Sequence, residues 1–389
     1  MGTEIVFGKG AEKKTGGLVR KYGGRKVMLV YGGGSVKSSG LFDTIAGTLD
    51  EEKIPFIELG GVQPNPRRSL IDTGLRAAMD EKVDFLLAAG GGSAIDTAKT
   101  IALGLAHGGG YWQFYKGALP SATFPVGSVL TISAAGSETS CGSVVVDDIE
   151  TNRKCSMTHD LIRPVFAVMN PELTYSVPPY QTAVGAADIF AHICQRYFID
   201  ADCYLGDEYC EGTMRTVVKY GPIACANPGD YEARAELMLA GSFGHNDLLN
   251  LGRYTKNRGG EHKLEKQLSG FYDTPHGAGL AVIMPAWLQY IANHGSEKQA
   301  ARVAQFGVNV FGADFDGADL RGTADEGLRR FRAWLKSIGM PLTLKELGVP
   351  TEDIDNMVDR CLEDTDGFVP GYMPFDRKAV REIYSLAAL

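Results

Sequence analysis

The sequence has no run of Lys and Arg, no Cys-x-x-Cys pair, no GxGxxG fingerprint, and no uncharged apolar stretch of the about 18 residues that a bilayer span requires. Each absence removes a class of function. With a formal net charge of -8 and no basic face, nucleic acid is not an expected partner, because phosphate binding needs clustered cations. Seven cysteines, an odd number without paired spacing, do not make a disulfide framework and point to a reducing compartment. No basic-then-apolar leader opens the chain, and Met1-Gly2 lacks the Ser or Thr at position 6 of an acylation signal, so a cytoplasmic protein without a membrane anchor is expected. What is present is ordinary for a soluble globular protein: 389 residues, 44% apolar and 22% charged, enough for two buried cores, with small molecules as the expected ligands.

The first half alternates strands with helices. EIVFG at residues 4 to 8 reads as a strand, followed by helical text to about Tyr22. RKVMLVYGGGSVKSSGLFDTIAGTLDEEKI is an apolar strand, a glycine turn and an amphipathic helix; IPFIELGG is a further strand; VDFLLAAGGGSAIDTAKTIALGLA repeats the unit. This alternation predicts a mainly parallel sheet covered by helices, with ligands at the carboxyl ends of the strands, where both glycine turns fall.

At Gly90-Gly91-Gly92-Ser93 the backbone can approach a diphosphate, and the next helix offers unpaired N–H groups; the alternative is a tight turn with Ser93 as helix cap. Asp96 and Lys99 are spaced to pair with each other. In the earlier turn, Gly32-Gly33-Gly34-Ser35-Val36-Lys37, Ser35 and Lys37 stand where an acid would bind a ribose diol, which favours NADP(H) over NAD(H); Glu58, closing the next strand, argues the other way. PVGSVLTISAAGSETSCGSVVV reads as two strands around a small-residue loop, either passing beneath a flat cofactor or forming a plain hairpin. Thr131, Ser133 and Ser137 offer hydroxyls there. Lys154 is either a phosphate or ribose contact or a solvated lysine.

Strand-like runs almost vanish after Pro178-Pro179, so the chain divides into an α/β domain over 1–178 and an all-helical domain over 179–389. Gly221-Pro222, Asn227-Pro228-Gly229 and Met340-Pro341 read as helix breaks. In VGAADIFAHICQRYF, Asp188 and His192 lie one helical turn apart on one face, as two ligands of one ion or as an ordinary polar pair. His262 and His276, fourteen residues apart, would be about 21 Å apart on an unbroken helix. To share an ion they need a break, which Gly270 and Pro275 supply, with His276 at the start of a new helix. One carboxylate and three imidazoles suit Fe(II) or Zn(II). His107, His159, His245 and His294 are set aside as surface or core residues. A ligand on the glycine turns is expected to face the metal across a cleft.

Taken in order, FGKG, YGGGSVKSSG, PNP at 64 to 66, GGGSAIDTAK, TISAAGSE, the D-x-x-x-H helix and the H-x13-H pair ending in HGAGLAV resemble the iron-containing (group III) alcohol dehydrogenases, and within them the NADPH-dependent butanol-dehydrogenase-like branch. The resemblance spans nearly the whole chain. It implies that Asp188, His192, His262 and His276 hold the metal, that Gly34, Ser35, Asn65, Gly92, Ser93, Thr131 and Lys154 line the cofactor, and that Leu173 helps form the nicotinamide wall. It further implies hydride exchange between a primary alcohol or aldehyde and NADP(H), with the metal acting on the carbonyl oxygen. Three departures stand out. Lys266 replaces a family histidine viewed as a proton relay, Arg258-Gly259-Gly260-Glu261 replaces a GDW run, and Gln195 replaces an acid. Lys266 is thus the candidate proton donor. Phe271, Tyr272 and Trp287 are candidate walls for a small uncharged substrate. Two rival readings are a metal-dependent cyclase of the dehydroquinate-synthase kind, using the basic residues Lys256, Arg258, Lys263 and Lys266, and a nucleotide-binding relative without activity. The strand at 4 to 8 could pair with a twin in a homodimer.

Overall fold

The apolar runs of the first half become the strands of one parallel sheet, and the amphipathic runs between them become its helices. In the computed structural model, which describes residues 2–253, 259–363 and 365–389, this first unit is Met1–Ser176 and a second is Val177–Leu389. In order, the first unit holds β1 (Glu4–Phe7), α1 (Thr15–Lys21), β2 (Val27–Tyr31), α2 (Ser35–Ser38), α3 (Leu41–Glu51), β3 (Phe56–Leu59), α4 (Arg68–Asp80), β4 (Phe85–Gly90), α5 (Gly92–Ala106), β5 (Val126–Leu130), β6 (Gly142–Val146), β7 (Lys154–Thr158) and β8 (Phe166–Met169). The sheet order is β1-β8-β5-β4-β2-β3, every neighbouring pair parallel. All residues of β2 and β4 are buried, which is why VMLVY and FLLAAG read as unbroken apolar text rather than as alternation. Leu18, Val19, Ile45 and Leu49 of α1 and α3 pack on the face carrying Val27, Leu29, Phe85 and Leu87. Strands β5 and β6 do not form a hairpin with each other: β5 enters the main sheet, while β6 pairs antiparallel with β7 in a separate ribbon. The backbone bond from Val146 N–H to the Pro66 carbonyl, 2.7 Å, ties that ribbon to the start of α4.

The second unit is helical: α6 (Pro179–Tyr197), α7 (Tyr204–Ala226), α8 (Tyr231–His245), α9 (Glu261–Phe271), α10 (His276–His294), α11 (Glu297–Phe311), α12 (Leu320–Ser337), α13 (Leu344–Leu347), α14 (Ile354–Leu362) and α15 (Arg377–Ala387). Every residue of α10 from Gly277 to Leu288 is buried, as expected of a helix apolar all round, and α6, α9, α11, α12 and α15 pack on it. Phe190 of α6 seals the core against Phe331 and Trp334 of α12, with ring centroids 5.0 and 4.9 Å apart.

Two of the three expected breaks separate helices, but Gly221-Pro222 lies inside α7. Pro222 costs the helix one backbone bond. Gly221 is buried between neighbouring helices: a Cβ there would make ordinary contacts, 3.6 Å from Ala186 of α6 and 3.7 Å from Trp334 of α12. Tertiary burial outweighs the local break signal. Among the described residues, no helix is long and apolar enough to cross a membrane.

Candidate metal centre and cofactor cradle

Asp188 and His192 sit one turn apart on α6, both buried. α9 ends at Phe271; Asp273 takes a left-handed conformation (φ 50°), and Pro275 is the extended residue that starts α10. The chain thereby doubles back, placing His262 in the first turn of α9 and His276 at the first position of α10. The ring centroids of His192, His262 and His276 lie 4.7, 5.4 and 6.2 Å apart, and one donor nitrogen from each falls within 4.8 Å of the other two. Asp188 is outside that mutual set but beside it, its Oδ1 3.2 Å from His192 Nδ1 and 3.9 Å from His276 Nε2.

The donor set fits a borderline divalent ion. Asp188 Oδ1 and His262 Nε2 are buried without a hydrogen-bond partner among the described residues, and such atoms are costly unless something else satisfies them. Burial pushes the His262 imidazole down to about 4, with Glu261 pulling the other way, so near neutral pH its ring is uncharged and able to act as a ligand. Burial opposes ionisation of Asp188, but His192, His276 and His262 outweigh it and hold the carboxyl well below the usual carboxylate range.

Three neighbours of the cluster were not singled out from the sequence. Glu261 and Glu265, both fully buried, touch His262 and His276. His245, set aside above, closes α8 with its ring 4.6 Å from that of His192. Nothing in the text around GSFGH signals this; it follows from the packing of α8 on α6. Lys266 lies one turn beyond His262 on α9, half-buried. Trp287 is not a pocket wall: it is fully buried between Phe198 and Phe375, because α10 is central to the unit. Tyr272 donates to Asp353 (2.7 Å), and Phe271 is exposed under the Arg360 guanidinium. Lys256 and Arg258 lie outside the described residues.

In the first unit, the expected cofactor residues collect at the carboxyl ends of adjacent strands. Gly33, Gly34, Ser35 and Lys37 follow β2, Asn65 (φ 57°) follows β3, Gly91, Gly92 and Ser93 follow β4, Thr131 follows β5, and Leu173 follows β8. Lys154 starts β7 in the ribbon. Thr131 N–H donates to the Gly90 carbonyl, 3.1 Å, bringing the β4 and β5 turns together. Gly91, not Ser93, caps α5, without a side-chain bond, so the first N–H groups of a fifteen-residue helix are available to an anion. A Cβ on Gly91 would overlap Ile132, which makes glycine a packing requirement there. Asp96 and Lys99 are 3.8 Å apart, yet each is held mainly by Ser137 and by the backbone of β6: Asp96 accepts from Ser137 Oγ (2.5 Å) and Val144 N–H (2.9 Å), while Lys99 donates to Ser137 Oγ (2.9 Å) and the Gly142 carbonyl (2.8 Å). Lys37 is ion-paired with Glu58 at 2.8 Å, and Tyr31 donates to the same carboxylate.

A parallel α/β unit with glycine turns at its strand ends, joined to a helical unit carrying a His/Asp cluster, defines a class of two-domain oxidoreductase, and comparison with known proteins bears this out. Residues 2–171 match the iron-containing alcohol dehydrogenase family, and residues 182–388 match the C-terminal part of the Fe-containing alcohol dehydrogenase family. The NADH-dependent butanol dehydrogenase A of Clostridium acetobutylicum is 39% identical over 98% of this chain and 97% of its own length. The NADPH-dependent aldehyde reductase YqhD of Escherichia coli is 30% identical over 93% and 91%. The crystal structure of an NADH-dependent butanol dehydrogenase A from Thermotoga maritima superposes with a TM-score of 0.91 at 34% identity, covering 100% of this chain and 97% of that one. The chain belongs to the iron-containing alcohol dehydrogenase family.

Proposed function

We propose that this protein interconverts primary alcohols and aldehydes of the butanol/butanal kind by hydride exchange with a pyridine dinucleotide, using one divalent ion, Fe(II) or Zn(II), held by Asp188, His192, His262 and His276. The observation that carries this is the convergence of three imidazole nitrogens within 4.8 Å, with an Asp188 oxygen beside them that has no hydrogen-bond partner among the described residues. When bound, the metal supplies Lewis acidity toward a carbonyl oxygen and the nicotinamide supplies the hydride. The chain's own residues do the rest. The N–H groups of Gly91, Gly92 and Ser93 receive the diphosphate, with Thr131 and Lys154 as further polar contacts and Leu173 against the nicotinamide. Gly33 and Gly34 keep the β2 turn open, and Asn65 lies at the neighbouring β3 end. Lys266, one turn from His262, serves as proton donor to the alkoxide.

NADP(H) is the preferred form in this proposal, with Ser35 and Lys37 taking a 2'-phosphate. The Lys37–Glu58 ion pair favours a second reading, NAD(H), because it already neutralises the lysine and leaves a carboxylate for a ribose diol. One assay tests the whole. Wild type purified without oxygen should hold about one equivalent of metal and reduce butanal faster with NADPH than with NADH, whereas His262→Ala should lose both metal and turnover. Full activity in that variant refutes the metal assignment, and a preference for NADH selects the second cofactor reading.

A homodimer joined along β1 also belongs to the proposal: β1 is an edge strand whose Ile5 and Phe7 are exposed. Light scattering should give twice the 41.8 kDa chain mass, and a value near one chain mass would exclude it. None of the seven cysteines is in a disulfide among the described residues, which suits a cytoplasmic setting.

A further inference from the structure

We propose that Glu261 and Glu265 are positioning residues: their buried carboxylates lie against Nδ1 of His262 and His276 and fix each ring with Nε2 turned to the ion. This inference rests on the metal reading above. Both glutamates are 0% exposed and lie four apart on one face of α9. Among the described residues, neither they nor Asp188 form an ion pair with a lysine or arginine. A buried carboxylate left without a counter-charge is strongly unfavourable. A divalent cation among the imidazoles would offset most of the negative charge of these three acids.

The contacts share one pattern. Glu261 Oε1 lies 2.7 Å from His262 Nδ1 in a hydrogen bond. Glu265 Oε2 is in ion-pair contact with His276 Nδ1, close but out of line for a full hydrogen bond. His192 Nδ1 lies 2.9 Å from the Asp188 carbonyl oxygen. All three Nδ1 atoms thus face an oxygen, which makes them donors and leaves the three Nε2 lone pairs for the ion.

At His262 there is a competitor. The Gln195 amide nitrogen is 3.4 Å from the same Nδ1 and could donate to it only if Nδ1 carried no proton. A carboxylate at 2.7 Å outweighs an amide at 3.4 Å, so the Nδ1–H tautomer wins. The backbone makes room for both acids. A Cβ on Gly259 would stand 2.9 Å from Glu261 Oε2, and a Cβ on Gly279 would stand 2.7 Å from Glu265 Oε1.

The test compares Zn(II) affinity, by chelator competition, and the visible spectrum of the Co(II)-loaded protein in wild type, Glu261→Gln, Glu265→Gln and the double variant Glu261→Gln/Gln195→Glu. Each single variant should bind Zn(II) about 10- to 100-fold more weakly and shift the Co(II) bands. Its metal-free form should melt no lower than metal-free wild type, because a buried charge has been removed. The double variant presents a carboxylate to the same Nδ1 from α6 and should recover most of the affinity. Unchanged affinity in both single variants, or single variants whose metal-free forms melt lower while the double variant recovers nothing, would overturn the proposal. Failure of wild type itself to bind Zn(II) would instead sink the metal reading beneath it.

Discussion

Lys99 is fully buried, and its ammonium is held by a serine hydroxyl and backbone carbonyls, with Asp96 as the nearby counter-charge. Burial drags it from its ordinary 10.5 down to about 8. The folded chain therefore binds fewer protons than the unfolded chain between those two values, so stability rises with pH across that window. Replacing Lys99 with Met leaves Asp96 buried without its cation and should cost about 3 kcal/mol in denaturant unfolding near neutral pH. Because the variant lacks the titration, its deficit against wild type should widen by about 2 kcal/mol between about pH 7 and about pH 9.5. A constant gap would show that the lysine titrates normally in the fold. At this scale the text was uneven. The Asp188/His192 turn and the His262/His276 interval were legible because helical spacing and a Gly/Pro break are local signals. Glu261 and Glu265 were not, since glutamates interspersed with Lys263 and Lys266 look like ordinary solvated charges on a helix.

Between elements, the approach of α10 to α6 decides the geometry of the proposed metal site. Gly277 follows His276, and an added Cβ there would fall on the Val184 carbonyl and 3.1 Å from Asp188 Cβ. Gly277→Ala must push the two helices apart where they present Asp188, His192 and His276. Overpacking of this kind costs about 1–3 kcal/mol, and Zn(II) affinity should fall by at least about tenfold. Equilibrium dialysis showing wild-type affinity would mean that the helices shift without disturbing the ligands. The motif HGAG marks a helix start, but only the packed pair reveals why the second residue has no side chain. Gly221-Pro222 teaches the converse: a break signal that local chemistry reads correctly is overridden where two neighbouring helices close on the same turn.

For the whole molecule, the His/Asp cluster lies in Val177–Leu389 and the glycine turns lie in Met1–Ser176, so metal and dinucleotide should stabilise different parts of the chain. A ligand at about a hundred times its Kd adds about 2.7 kcal/mol to the state that binds it. Hydrogen exchange should accordingly show Zn(II) protecting α6, α9 and α10, and NADPH protecting the turns after β2 and β4. Protection of the same amides by both ligands would contradict this division.

The alternation of strands and helices in the first half, the mainly parallel sheet, the glycine turns and the spacing within the Asp188/His192 and His262/His276 pairs were determined by the sequence itself, because each depends on periodicity, turn chemistry or spacing within a few tens of residues. Tertiary structure alone decided which carboxylates back the imidazoles, that His245 stacks on His192, that Trp287 belongs to the core, and that Lys37 is already paired with Glu58. Apart from Glu261 beside His262, these are contacts between different elements of the fold. They are set by how closely helices and strands can pack, a quantity that no local pattern of residues encodes.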